Sequence, residues 1–385
     1  MSNRYLQVKA AGVAGNDRCS PYEKPWRNDV TDNELHGIVD IARLTEWLDS
    51  NIPQLGDGPL AVKKIHGGTS NVILSLNRGG DTMLLRRPPA VPPPGSEKSV
   101  LREARVLAAL NATAVPHPHC YGSCADPGVI GSPFYVMEVC EGWAAELRDG
   151  RIYDRPPFDK APYAYGVSMA MVDGLVALAN VDYKAVGLED FGKPGHFLER
   201  QVDRWESQIK SYKDRYNYPW RDIPGYEITR DWLRANTPRE YTTGIIHGDV
   251  GTPNALFTFD APVRLTALID WELSTIGDPL IDLAWLCNGI RDARIPDHVP
   301  EKALYNVMEW PTRQELMARY AAGTGRDMSN FDYYLVLAMY KGGCILEYKV
   351  AQAAAGILSK ETGVLFDRLV RGNFSEAEKL IRMIG

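Results

Sequence analysis

The chain has 385 residues, with 43 Lys and Arg against 49 Asp and Glu, so it is long enough for two domains and carries a net charge of −6. Charge balances at 14 to 14 over residues 1–140, and the whole acidic excess lies in 141–385, so nothing draws the protein toward nucleic acid or an anionic membrane. With no apolar run of about 18 residues, no apolar stretch after Met1-Ser2-Asn3-Arg4-Tyr5, and six scattered cysteines, a reduced, cytoplasmic protein without a membrane span is expected.

Residues 1–35 are polar and without period, and read as an extension. Ile41, Leu44, Trp47 and Leu48 recur at helical spacing and predict a helix over 41–52. Ala61–Ile65 and Val72–Leu76 predict two strands around a Gly-rich turn, His66-Gly67-Gly68-Thr69-Ser70-Asn71. A second turn, Asn77–Asp81, leads into a third strand over Thr82–Arg86. Pro88–Gly95 is a loop, Ser99–Leu110 a helix and Phe134–Val139 a strand. His117, His119, Cys120 and Cys124 fall close together, but not at zinc-finger spacing and with no second ligand pair. A loop entering a strand is expected there. From residue 141 the pattern is mostly helical.

Two short pieces interrupt that helical region. The first is Ile246-His247-Gly248-Asp249-Val250-Gly251-Thr252-Pro253-Asn254, and the second is Ala267-Leu268-Ile269-Asp270-Trp271-Glu272. The first has the form H-G-D-x-x-x-x-N. A phosphoryl-transfer centre needs an Asp to take the acceptor hydroxyl's proton, an Asn to hold Mg²⁺, and a separate Asp to hold metal on the phosphates. Between residues 231 and 282 there are eight acidic and three basic residues. A site neutralised by divalent cations tolerates that excess. No G-x-G-x-x-G follows a strand and opens a helix, so a dinucleotide-dependent dehydrogenase has no support.

Together with Gly277-Asp278-Pro279-Leu280-Ile281-Asp282-Leu283-Ala284, these motifs resemble the aminoglycoside phosphotransferase and choline kinase-like family. The resemblance implies an α+β, protein-kinase-like two-lobe fold. A small antiparallel-sheet lobe with one main helix would occupy residues 1–140, and a large, mostly helical lobe residues 141–385. It implies ATP and Mg²⁺. Asp249 would be the catalytic base, with Asn254 and Asp270 on the metal. His247, Glu272, Asp278 and Asp282 would support the loops.

At the nucleotide end, Gly67, Gly68, Thr69, Ser70 and Asn71 would cover the phosphates with backbone N–H groups. Arg86 would stand where the wider family has Lys, partnered by Glu103, with Arg87 as its rival. The Glu138 carbonyl and the Cys140 N–H would meet the adenine.

The acceptor is expected to be a small hydroxyl-bearing molecule. Gln201-Val202-Asp203-Arg204-Trp205, with Leu84-Leu85-Arg86-Arg87-Pro88-Pro89, resembles the branch fused to acyl-CoA dehydrogenases in animals. That points to a metabolite such as a hydroxyacyl-CoA. An aminoglycoside is the alternative acceptor, and a non-catalytic nucleotide-binding protein the alternative function. The interleaved basic and aromatic residues from Arg200 to Arg221 either meet an anionic acceptor or form the solvated face of an amphipathic helix.

Overall fold

A computed structural model describes residues 38–65, 71–89, 91, 95–148, 151–300 and 309–385. Gly67, Gly68, Thr69 and Ser70, and the polar extension at residues 1–35, lie outside the described residues. The chain divides into two compact units. One takes residues up to 111 with 117–142, and the other takes 112–116 with 143–385.

In the smaller unit, helix α1 (Ile41–Asn51) precedes strands β1 (Ala61–Ile65), β2 (Val72–Arg78) and β3 (Asp81–Arg87). Helix α2 (Ser96–Leu110) and strands β4 (Cys120–Cys124) and β5 (Phe134–Glu138) follow. The sheet order is β1-β2-β3-β5-β4, with every neighbour antiparallel. The β2–β3 turn pairs Arg78 with Asp81 across Gly79 and Gly80, whose φ angles are +59° and +96°. Two positive φ angles match the right-handed twist of the flanking strands, and glycine adopts them without strain.

Strand alternation assigns the two faces of the sheet. Leu74, Leu76, Met83, Leu85, Phe134 and Val136 pack with Leu44 and Leu48 of α1. The Trp47 ring meets Phe134 edge-on at 4.8 Å. On α2, Val100, Ala104 and Leu107 are buried at helical spacing. The segment 117–119 is a loop that enters β4, where Cys120 is buried. Among the described residues no group of three or more His, Cys, Asp or Glu is placed to hold a metal.

The larger unit opens with a short hairpin, β6 (Glu146–Arg148) and β7 (Arg151–Tyr153). Helices α3 (Tyr163–Ala179), α4 (Glu199–Tyr216) and α5 (Tyr226–Ala235) follow. Four short strands come next: β8 (Gly244–Ile246), β9 (Ala255–Phe257), β10 (Leu265–Leu268) and β11 (Thr275–Gly277). They pair antiparallel as β8 with β11 and β9 with β10. Helices α6 (Leu280–Cys287), α7 (Arg313–Thr324), α8 (Phe331–Ala354) and α9 (Lys360–Ile384) complete the chain.

Helix α8 is apolar on most of its circumference and is buried from Tyr333 to Cys344, so it forms the centre of this unit. Helix α9 is amphipathic and packs on α8 through Val370, Phe374 and Ala377. A capping box at Thr312 and Glu315 starts α7. Among the described residues no helix is long and apolar enough to cross a membrane.

Candidate active site

The H-G-D segment begins where β8 ends and turns sharply at Gly248. Its φ is +91°, and a Cβ there would lie 2.6 Å from the Leu273 carbonyl oxygen, so a side chain has no room. Asp282, on α6, holds this turn from behind. Its carboxylate accepts the backbone N–H of His247 at 2.6 Å and that of Gly248 at 2.9 Å. Burial raises the pKa of Asp282, against the opposing pull of His247, the two N–H groups and Lys341.

His247 is fully buried. Its Nε2 lies 3.1 Å from the Ile269 carbonyl, and its Nδ1 accepts the Asp249 N–H at 3.3 Å. That pairing places the proton on Nε2. The ring also packs on Trp271, with centroids 4.6 Å apart. With both nitrogens engaged, the imidazole braces the Asp249 turn against the residue preceding Asp270.

Asn254 ends a single turn of 3-10 helix, Thr252–Asn254. Its Nδ2 donates to the Asp249 carbonyl at 2.9 Å and to the Asp249 carboxylate at 3.0 Å. Its own carbonyl accepts the Ile269 N–H at 2.9 Å. Asp249, Asn254 and the strand leading to Asp270 are therefore one hydrogen-bonded unit. Asp270 is left-handed, at φ 67° and ψ 63°, which is uncommon for a residue with a side chain. It immediately precedes the turn Trp271–Leu273, on which Glu272 is half-buried.

Asp278 caps the first turn of α6 by accepting the Leu280 N–H at 3.0 Å. The Tyr334 hydroxyl donates to its other oxygen, and Arg326 stands 3.8 Å away. Burial raises its pKa, partly offset by these donors.

In the smaller unit, Arg86 Nε lies 3.1 Å from the Glu103 carboxylate, and both side chains are buried. Arg87 points to the opposite face of β3. It donates to the carbonyls of Pro88, Ile130 and Ile38, and burial lowers its pKa. Asn71 is half-buried immediately before β2. The Glu138 carboxylate accepts the His119 N–H at 3.1 Å, and its backbone N–H donates to the His119 carbonyl at 2.9 Å. Cys140 is buried, and desolvation pushes its thiol up to about 12, with Glu138 adding to the rise.

One residue of this centre has no counterpart in the sequence reading. Lys341 lies in the middle of α8, and its Nζ donates to the Gly248 carbonyl at 2.6 Å. The ammonium sits 4.0 Å over the Trp285 ring and 5.7 Å from that of Trp205. Desolvation pushes its pKa down to about 8, opposed by the charges of Asp249 and Asp282. Its signal in the sequence is a lone Lys inside an apolar helical run, Leu335-Val336-Leu337-Ala338-Met339-Tyr340-Lys341.

A small recess of about 40 Å³ adjoins the Asp249 turn within the larger unit. Gly248, Lys341, Trp205, Trp285, Arg204 and Tyr334 are among its lining residues. Helix α4 buries Gln201, Val202, Trp205, Ile209 and Tyr212, and so presents both a packed face and part of this lining.

Residues 61–323 match the phosphotransferase enzyme family. The chain belongs to that family. The chain is 28% identical over 342 residues to human acyl-CoA dehydrogenase family member 11, covering 86% of the chain and 42% of that protein. It is 27% identical over 334 residues to mouse family member 10, covering 83% of the chain and 29% of that protein. The chain thus spans less than half the length of these curated relatives.

Among solved structures it resembles a Ralstonia eutropha protein whose assignment as an aminoglycoside phosphotransferase is provisional. The identity is 29% and the TM-score 0.71, over 88% of this chain and 98% of that one. The small antiparallel sheet with its main helix, and the mostly helical larger unit, bear out the protein-kinase-like fold of the phosphotransferase family.

Proposed function

We propose that this phosphotransferase is a small-molecule kinase that moves the ATP γ-phosphoryl group to a hydroxyl of a small metabolite, such as a hydroxyacyl-CoA. The observation that carries this reading is the bonded unit of Asp249, Asn254 and the strand into Asp270. In this reading Asp249 orients the acceptor hydroxyl and takes its proton. The acceptor oxygen forms a bond to the γ-phosphorus, the bond to the β–γ bridging oxygen breaks, and ADP leaves.

Asn254 and Asp270 offer oxygen donors of the kind Mg²⁺ takes. Asn254 directs its Nδ2 to Asp249, and a side-chain amide oxygen is a ligand of the kind Mg²⁺ accepts. Mg²⁺, when bound, neutralises charge on the phosphates. Arg86, oriented by Glu103, meets the α- and β-phosphates as a planar fork. Asn71 and the Gly-rich turn before it contribute backbone N–H groups, and the backbone at Glu138 and Cys140 meets the adenine. His247, Asp278 and Asp282 hold the loops in place, with Glu272 beside the metal-binding Asp270.

The hydroxyacyl-CoA assignment draws on the acyl-CoA dehydrogenase names of the curated relatives. The test is ADP release from Mg·ATP across hydroxyacyl-CoAs, aminoglycosides and amino alcohols, with Asp249→Asn in parallel. Turnover with a hydroxyacyl-CoA, lost in the variant, is expected. ATP binding with no acceptor-dependent ADP release would overturn the kinase reading, and turnover with kanamycin alone would overturn the metabolite assignment.

A further inference from the structure

The recess beside Asp249 has a one-sided charge. Arg204 and Lys341 line it together with Trp205, Trp285, Phe197 and Gln201, and among the described residues no Asp or Glu does. The two cations are not equivalent. Lys341 is committed to the Gly248 carbonyl and is balanced by Asp249 and Asp282 nearby. Arg204 makes no hydrogen bond or ion pair among the described residues, and its guanidinium lies 4.7 Å over the Trp205 ring.

The carboxylates nearest Arg204 along α4 are engaged elsewhere. Asp203 pairs with Arg234 at 2.7 Å. Glu206 pairs with Lys210 at 2.8 Å and with Arg234 at 2.7 Å. Arg204 remains exposed on the open side of the recess, yet burial of its guanidinium lowers its pKa. A partly desolvated cation without a counter-ion, on an aromatic wall, suits an anion arriving with the ligand.

We infer that Arg204 recognises an anionic group on the acceptor, so that this recess takes a hydroxyl-bearing molecule with an apolar body and an anionic end. The inference rests on the phosphotransfer reading only in taking the recess next to Asp249 as the acceptor pocket. The apolar body lies against Trp205, Trp285 and Phe197. Polycationic aminoglycosides and quaternary amino alcohols meet Arg204 with no carboxylate among the lining residues to offset it, and are disfavoured. The anion is either a carboxylate on a free hydroxy acid or the phosphates of a CoA thioester.

The test is calorimetric titration of the full chain, with saturating Mg·ADP present to keep CoA out of the nucleotide site. The probes are 3-hydroxybutyrate, 3-hydroxybutyryl-CoA, choline and kanamycin, against wild type, Arg204→Gln and Arg204→Glu. At least one anionic probe is expected to bind wild type, at least tenfold more weakly to Arg204→Gln, and more weakly still to Arg204→Glu. Binding of the thioester alone assigns the anion to the CoA phosphates, and binding of the free acid assigns it to the carboxylate.

Anion affinity within twofold of wild type in both variants would overturn the inference, as would no binding of either anion at millimolar concentration. Turnover of choline or kanamycin that is lost in Asp249→Asn would overturn it too, while leaving the phosphotransfer reading standing.

Discussion

The Asn254 side-chain amide donates to Asp249 twice, to its carbonyl at 2.9 Å and to its carboxylate at 3.0 Å. One residue thus fixes both the backbone and the side chain of the other. The carboxylate thereby keeps a defined direction.

Asp249→Asn removes the proton acceptor and keeps an oxygen for the Asn254 amide. Acceptor-dependent ADP release should fall by about 10²–10⁴-fold, with the protein still folded at the assay temperature by thermal unfolding. Turnover within a few-fold of wild type would remove Asp249 from the base role.

Asp282→Ala leaves the buried N–H groups of His247 and Gly248 without their acceptor. An unsatisfied buried donor costs about 1–3 kcal/mol, so denaturant unfolding should show a loss of a few kcal/mol, with turnover falling as the loop loosens. A loss below about 0.5 kcal/mol, the scale of a surface substitution, would contradict the bracing role.

Arg86 and Arg87 are adjacent and should fail differently. Arg86→Ala should raise the KM for ATP more than it lowers stability. Arg87→Ala strips the buried carbonyls of Ile130 and Ile38 of a donor and should lower stability first. ATP titration and thermal unfolding of both variants separate the two effects, and a reversed pattern would exchange their roles.

Lys341 carries a pH signature. Its folded pKa is pushed down to about 8 from the ordinary lysine value of 10.5. The unfolded chain therefore binds more protons than the folded one between those values, so stability rises with pH there. The cost of burying the charge is fully present below about 8 and is relieved as pH approaches about 10.4. Relative to Lys341→Met, wild type should gain up to about 3 kcal/mol across that window. Parallel pH dependences for the two proteins would show that Lys341 titrates normally.

The geometry of the Asp249 turn was legible in the sequence because it is local. The Asn254 amide reaches back five residues to Asp249, so H-G-D-x-x-x-x-N nearly describes its own hydrogen bonds. The three-strand meander was legible for the same reason. Alternating apolar residues and a Gly79-Gly80 turn set register between neighbours in the chain. The family followed from these motifs.

The tertiary structure decided what depends on distant partners. Residues Arg86 and Arg87 are adjacent letters, and only the packing of α1 and α2 on opposite faces of the sheet sends one to Glu103 and the other to backbone carbonyls. Lys341 reads as an odd charge in an apolar run until α8 places it on Gly248, 93 residues away. The recess draws Arg204 and Trp205 from α4, Trp285 from α6 and Lys341 from α8, which no spacing rule connects. Local hydrogen bonding and alternation are written in neighbouring residues, whereas the charge of a pocket arises from which helix faces the burial of apolar surface brings together.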